Sequence, residues 1–155
     1  MKPTVDELAG VVDIFGGLRD EELRRAYEEL AARTGAQSIE TEVFDEVIER
    51  ALKQYALVEC AVADDSGYVA GPTAFPDPPT HAEDLPHILE VPHRSIDRER
   101  VGERVCERFC ASVDEAITAD DEQRARTLLD VSYDVEAWAP VELTDERTAL
   151  EATLE

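Results

Sequence analysis

Lysine is nearly missing from this sequence: only Lys2 and Lys53 are lysines, and the other 13 of the 15 basic residues are arginine. Cysteine and histidine occur three times each. An odd number of cysteines in a chain of this size does not describe a secreted disulfide framework. Long apolar runs are lacking too. Tyr55 to Val58 and Cys60 to Ala63 extend only four residues each, against the roughly 20 that a membrane helix needs, and no stretch has the pattern of a signal peptide. The sequence also lacks a phosphate-cradling glycine loop, a recognisable catalytic triad and zinc-finger spacing. Together these absences predict a soluble cytoplasmic protein without membrane contact, and they point to no particular chemistry.

What is abundant is negative charge. Asp and Glu number 37 against 15 Lys and Arg, a net of -22. Residues 1–55 carry 13 acids and 7 bases, residues 56–95 carry 7 and 1, and residues 96–155 carry 17 and 7; the excess is therefore a coat and not an acidic tail. Such a coat repels itself in dilute buffer. At 1 M salt the Debye length falls to about 3 Å and most of that repulsion is screened. The composition suits high salt and predicts a protein that loosens when desalted. With 43% apolar residues over 155 positions, the chain still has the material for a packed core.

Apolar spacing places the helices. Thr4 and Glu7 stand as a capping box before Val5, Leu8, Val12 and Phe15, and Gly16 and Gly17 stop that run. Leu23, Ala26, Tyr27, Leu30 and Ala31 form a second stripe that Gly35 closes, with Arg19 standing where a Thr or Ser cap would be expected. Thr41 is placed to cap a third helix carrying Phe44, Val47, Ile48, Ala51, Leu52 and Tyr55. A β-rich run from Leu57 to Val62, the turn cluster Asp64 to Gly67, and Tyr68 to Ala70 predict a hairpin. Six of the eight prolines lie between Pro72 and Pro92, which predicts an extended strap without regular helix. Beyond it, Ser95 or Asp97 caps a helix with Val101, Val105, Phe109, Val113 and Ile117 on one face. A helix over Asp121 to Val131, a loop through Trp138 and Pro140, and a short last helix capped by Thr144 complete the reading.

The opening TVDELAGVVDIFGGLRDEELRRAYEEL, Thr4 to Leu30, resembles the start of a family of small uncharacterised proteins from salt-loving archaea. That resemblance covers the first third of the chain. It implies a cytoplasm rich in potassium chloride and carries no activity with it.

The expected fold is mainly α. Residues 1–71 form a trihelical unit with a hairpin, winged-helix-like; residues 72–94 form a Pro/His-rich linker strap; residues 95–155 form a C-terminal helical region packed on the first unit. Three helices followed by a hairpin is the order in which a winged helix-turn-helix reads DNA, and Arg24, Arg25, Arg50 and Lys53 are the candidates for phosphate contacts. Against DNA, the third helix carries Glu42, Asp45, Glu46 and Glu49, whereas affinity for DNA comes largely from neutralising phosphates.

All three histidines fall in HAEDLPHILEVPHRS, at six-residue intervals. His87 and His93, joined to Cys106 and Cys110, have the right ligand types for zinc but not a CxxC or HxxxH spacing, and the cysteines read equally well as part of an apolar helix face. Carboxylate pairs such as Asp64–Asp65 and Asp120–Asp121 arise from composition in so acidic a chain. No catalytic residue and no cofactor is predicted. The reading that results is a non-enzymatic interaction or regulatory protein with a protein partner or self-association. A DNA-binding transcriptional regulator is the alternative, and a metal-binding protein or metal-dependent enzyme the third.

Overall fold

A computed structural model describes residues 2–155, whose contacts divide into two compact units, one ending at Ile96 and the other beginning at Asp97. The protein is mainly helical, with a small three-stranded antiparallel sheet in the first unit.

The first unit starts with α1 (Val5–Phe15). Its capping box forms as the sequence predicts: the Glu7 amide donates to Thr4 Oγ1 at 3.0 Å and the Thr4 amide donates to Glu7 Oε1 at 2.9 Å. Leu8, Val11, Val12 and Phe15 are fully buried along one face, and Gly16, at φ 81°, ends the helix. A two-residue strand β1 (Leu18–Arg19) leads into α2 (Asp20–Thr34). Arg19 does stand at the cap, and its side chain cannot accept a hydrogen bond. The local solution is half a capping box, in which the Arg19 amide donates to Glu22 Oε1 at 2.8 Å. Gly35, at φ 71°, closes α2 in the left-handed conformation that glycine adopts without penalty.

The third helix, α3 (Thr41–Lys53), begins one residue earlier than the sequence suggests. Thr41 is its first helical residue and not its cap; the Glu40 carbonyl already accepts from the Phe44 amide at 3.0 Å. After α3 the chain makes β2 (Leu57–Val62) and β3 (Asp65–Ala70), paired in register with Val62 opposite Asp65. Ala63 and Asp64 both have positive φ, so the hairpin closes through a two-residue turn of the primed kind, whose twist matches that of the strands. Asp65, Ser66 and Gly67, predicted to be turn, therefore lie in the strand. Gly67 pairs with Arg19 of β1, and a Cβ there would come within 2.5 Å of the Leu18 carbonyl oxygen. This glycine provides space for a third strand. The sheet order β1-β3-β2, with helices α1, α2 and α3 in that sequence, is winged-helix-like.

Residues 72–94 are not extended throughout. A 3-10 turn at Ala82–Asp84 runs into α4 (Leu85–Leu89). Pro86 sits in the first turn of α4, where the missing N–H would have had no helical partner, so here proline starts a helix and does not prevent one. Ala82, Leu85, Leu89 and Val91 join the core cluster of α1, α2 and α3. The strap backbone also lies directly on α1: the Asp77 amide donates to the Asp6 carbonyl at 3.1 Å, and the Arg94 amide to the Phe15 carbonyl at 2.7 Å. A Cβ on Gly10 would stand 2.4 Å from Pro78 N.

The second unit is a bundle of α5 (Arg98–Thr118), α6 (Glu122–Trp138) and α7 (Thr144–Leu154). Asp97 caps α5, its carboxylate accepting from the Glu99 and Arg100 amides at 3.1 and 3.3 Å. Val101, Val105, Phe109 and Val113 are buried as predicted, while Ile117 in the last turn of α5 is exposed. The larger correction concerns α6, which continues through the predicted loop to Trp138. Val131 and Val135 prolong the stripe begun by Ala125 and Leu128, and this packing outweighs the weak helix propensity of a segment rich in β-branched and aromatic residues. Pro140, two residues beyond, prevents further extension. Thr144 is again the first helical residue and not the cap; the Leu143 amide at the cap donates to Glu136 Oε2 at 2.8 Å.

Candidate functional site

The surface on which the winged-helix-like order places the expected partner contacts is the outer face of α3 with the tip of the β2–β3 hairpin. Phe44, Val47, Ile48 and Ala51 anchor α3 to the core. On its other side Glu42, Glu46, Glu49, Arg50 and Lys53 are exposed and Asp45 is half-buried. The hairpin tip adds exposed Asp64 and Asp65. Both elements of the surface thus present carboxylates, with cations confined to the last turn of α3.

Of the four basic residues predicted to meet phosphate, Arg25, Arg50 and Lys53 are exposed. Arg24, half-buried on α2, is engaged inside the protein. Its Nε donates to Asp20 Oδ1 at 2.7 Å, its Nη2 donates to Asp45 Oδ1 on α3, and its guanidinium lies over the Phe44 ring, 5.2 Å from the centroid. The Tyr68 hydroxyl of β3 donates to Asp20 Oδ2 at 2.8 Å. The chain Tyr68–Asp20–Arg24–Asp45 therefore ties β3, α2 and α3 together. Burial opposes ionisation of Asp20, but the hydrogen bonds from Arg24 and Tyr68 outweigh it and hold the carboxyl below its ordinary value. Burial, and then the Asp20 carboxylate, push the Tyr68 phenol above its own.

Beside this chain a small pocket of about 70 Å³ is lined by Arg24, Tyr27, Glu28, Ile39, Thr41 and Phe44. That is about two water volumes, well below the few hundred Å³ of a site for a cofactor or drug-sized ligand. Tyr27 and Phe44 meet edge to face with centroids 5.4 Å apart. The Tyr27 side chain is buried, and its hydroxyl has no hydrogen-bond partner among the described residues.

The most deeply placed charges escaped the sequence reading. Glu22 is 3% exposed, and Arg94 from the strap grips it with two hydrogen bonds, Nη1 to Oε1 at 2.6 Å and Nη2 to Oε2 at 3.0 Å. Arg94 Nη1 also donates to the Gly17 carbonyl at 3.1 Å. Burial would raise the Glu22 pKa, yet Arg94 and Arg19 bring it down to about 2. Two signals in the sequence could have revealed the pair. Glu22 occupies the capping-box position after Arg19, and Arg94 is the single base among residues 56–95.

His93 directly precedes Arg94 of this clip, and the three histidines stand in three different local settings. His81, at φ 74°, precedes the 3-10 turn, His87 lies in α4 and His93 follows it; all three are exposed. Cys106 and Cys110 are half-buried on α5, and the Cys110 thiol donates to Glu146 Oε1 of α7 at 3.3 Å. Burial and then Glu146 push the Cys110 thiol up to about 11, and the same causes raise Cys106. Among the described residues, no three His, Cys, Asp or Glu side chains are arranged to hold a metal ion. Nor is any described helix long and apolar enough to cross a membrane.

The sequence profile of a family of unknown function, DUF7109, matches residues 6–155. The chain belongs to this family. The match extends well beyond the N-terminal third and takes in residues of both units, including the α3 surface, the Glu22–Arg94 clip and the α5 cysteines. No curated protein and no solved structure matches the chain.

Proposed function

We propose that this member of DUF7109 is a non-enzymatic interaction or regulatory protein of a salt-rich cytoplasm, and that its winged-helix-like unit uses α3 and the hairpin tip to meet a protein and not DNA. The observation that carries this reading is the charge of that surface. Glu42, Glu46 and Glu49 face outward on α3, Asp64 and Asp65 stand at the tip, and Arg24 is held by two carboxylates of its own chain. Binding to DNA requires cations that displace counterions from phosphates. High salt screens repulsion between two negative surfaces without creating attraction. A protein surface carrying arginine or lysine is complementary to the same face and would be steered to it.

Fluorescence anisotropy with a labelled mixed-sequence DNA duplex, run from ~0.2 M to ~2 M KCl, tests the choice. We expect no binding by the wild-type protein at any salt concentration. In parallel, the wild type used as bait should retain a protein partner that the Glu42→Lys/Glu46→Lys/Glu49→Lys variant loses. Salt-dependent binding of the wild type to the duplex would overturn this reading in favour of a DNA-binding regulator.

A further inference from the structure

The small cavity lined by Arg24, Tyr27, Glu28, Ile39, Thr41 and Phe44 lies where α2 meets the start of α3. We infer that it is a subsite for a primary carboxamide, carried either by a small free amide or by the side chain of a glutamine or asparagine. Size, hydrogen-bonding groups and charge each narrow the ligand to this class, and none of them depends on which partner α3 meets.

Size sets the first limit. A cavity of about 70 Å³ has room for two or three non-hydrogen atoms, at about 30 Å³ for each water-sized group. A sugar, a nucleotide or an aromatic ring does not enter. The carbon, oxygen and nitrogen of a carboxamide head do. Two of the lining residues, Glu28 and Thr41, are exposed, so the cavity opens to solvent and the alkyl stem of the ligand can leave it there. Phe44 and Ile39 supply apolar wall for that stem, and the edge-to-face contact of Phe44 with Tyr27 at 5.4 Å makes the wall rigid.

The hydrogen-bonding groups set the second. Tyr27 is 2% exposed and its hydroxyl has no partner among the described residues, a costly state for a buried polar group. Arg24 spends Nε and Nη2 on Asp20 and Asp45, which leaves Nη1 as the guanidinium nitrogen without a protein acceptor among the described residues. Glu28 brings a carboxylate that only accepts, and the hydroxyls of Tyr27 and Thr41 serve either way. The lining therefore wants an acceptor and a donor at once. A carboxamide offers one accepting oxygen and two donating N–H groups on a planar head.

Charge removes the competitors of similar size. Arg24 is already paired with Asp20 and Asp45, and Glu28 adds a third carboxylate, so a carboxylate or phosphate ligand would meet more negative than positive charge. An ammonium group would bring no acceptor to Arg24 and would face its guanidinium. A neutral group that both accepts and donates avoids the two conflicts.

The test is NMR of the full chain in about 1 M KCl, following the Ile39 methyl group and the Thr41 and Glu42 amides as acetamide is added. We expect these signals to move along a saturable curve with a Kd of roughly 1–10 mM, which is within reach of a ligand of about four non-hydrogen atoms. Acetate and methylammonium at the same concentrations should leave them in place. Tyr27→Phe should weaken acetamide binding by about 2- to 12-fold, the loss of one neutral hydrogen bond, and Ile39→Phe, which fills the cavity from its apolar side, should abolish it. Unchanged amide shifts in β2 and β3 would establish that each variant keeps the fold of the first unit. The N-acetylated, N-methylamidated peptide Ala-Gln-Ala, whose primary carboxamide is the glutamine side chain, separates the two sources: binding of the peptide as well assigns the site to a side chain, and binding of acetamide alone assigns it to a free amide. Shifts that grow without saturation, an equal response to acetate, or a Tyr27→Phe variant that binds like the wild type would each overturn the proposal and leave the cavity to water.

Discussion

Replacing Arg94 with methionine should be among the most damaging single changes to the first unit. The substitution keeps most of the aliphatic stem and removes the guanidinium that grips Glu22, which is only 3% exposed. A glutamate whose pKa falls from an ordinary 4.5 to about 2 on folding contributes about 3 kcal/mol to stability at neutral pH, at 1.36 kcal/mol per unit. Stranding one member of a buried pair typically costs about 3–5 kcal/mol, but Glu22 keeps the Arg19 amide at 2.8 Å and the Arg19 guanidinium at 3.3 Å, so the loss should fall below that range, at roughly 2–3 kcal/mol. The pH dependence has a definite sign. Because the folded pKa is depressed, the contribution is fully present above about pH 4.5 and is lost as the pH falls toward 2. Arg94→Met should therefore shift urea unfolding at neutral pH and flatten that part of the acid limb, with hydrogen exchange locating the loss in α1, α2 and the strap. A double variant, Glu22→Leu/Arg94→Met, should recover part of the stability, because the apolar pair leaves no buried carboxylate stranded, although it also removes the acceptor of the Arg19 amide at the start of α2. A loss below about 1 kcal/mol for Arg94→Met, the range of surface pairs, would refute the reasoning.

Three other outcomes follow from the packing and the charge. Gly10→Ala should destabilise by about 1–3 kcal/mol, although alanine is the better helix former by about 1 kcal/mol, because its Cβ would stand 2.4 Å from Pro78 N of the strap; urea midpoints decide this, and a gain in stability would show that the strap yields. Tyr68→Phe removes the hydroxyl that donates to Asp20 and should cost about 0.5–1.5 kcal/mol by the same assay, whereas no change would mean that the contact is idle. With a net charge of -22, the thermal midpoint followed by circular dichroism should rise steadily with KCl; a midpoint indifferent to salt would remove the self-repulsion argument.

Much of the fold was legible because its signals are local. The Thr4–Glu7 capping box, the stripes of α1, α2 and α3, the Gly35 stop and the Asp97 cap all depend on residues three or four apart, and each appears where helical spacing put it. The candidate surface was legible in the same way, since Glu42, Glu46 and Glu49 lie opposite Phe44, Val47 and Ala51 by periodicity alone. The features missed depend on contacts distant in sequence. β1 is two residues long and exists because β3 lies beside it. Gly67 resembles a turn glycine until the Leu18 carbonyl is seen against it, and the final turns of α6 are held by Val131 and Val135 in spite of weak local propensity.

Sequence alone therefore determined the composition of the surface, its acid coat, and which face of most helices is apolar, since these follow from residue identity and a fixed helical period. Tertiary structure decided which charges are spent internally. Arg94 meets Glu22 across 72 positions, and Arg24 meets Asp45 across 21. No periodicity encodes such partners; only the fold, by excluding water from Glu22 and bringing the strap back over α1, makes one arginine part of the scaffold while Arg25 remains exposed.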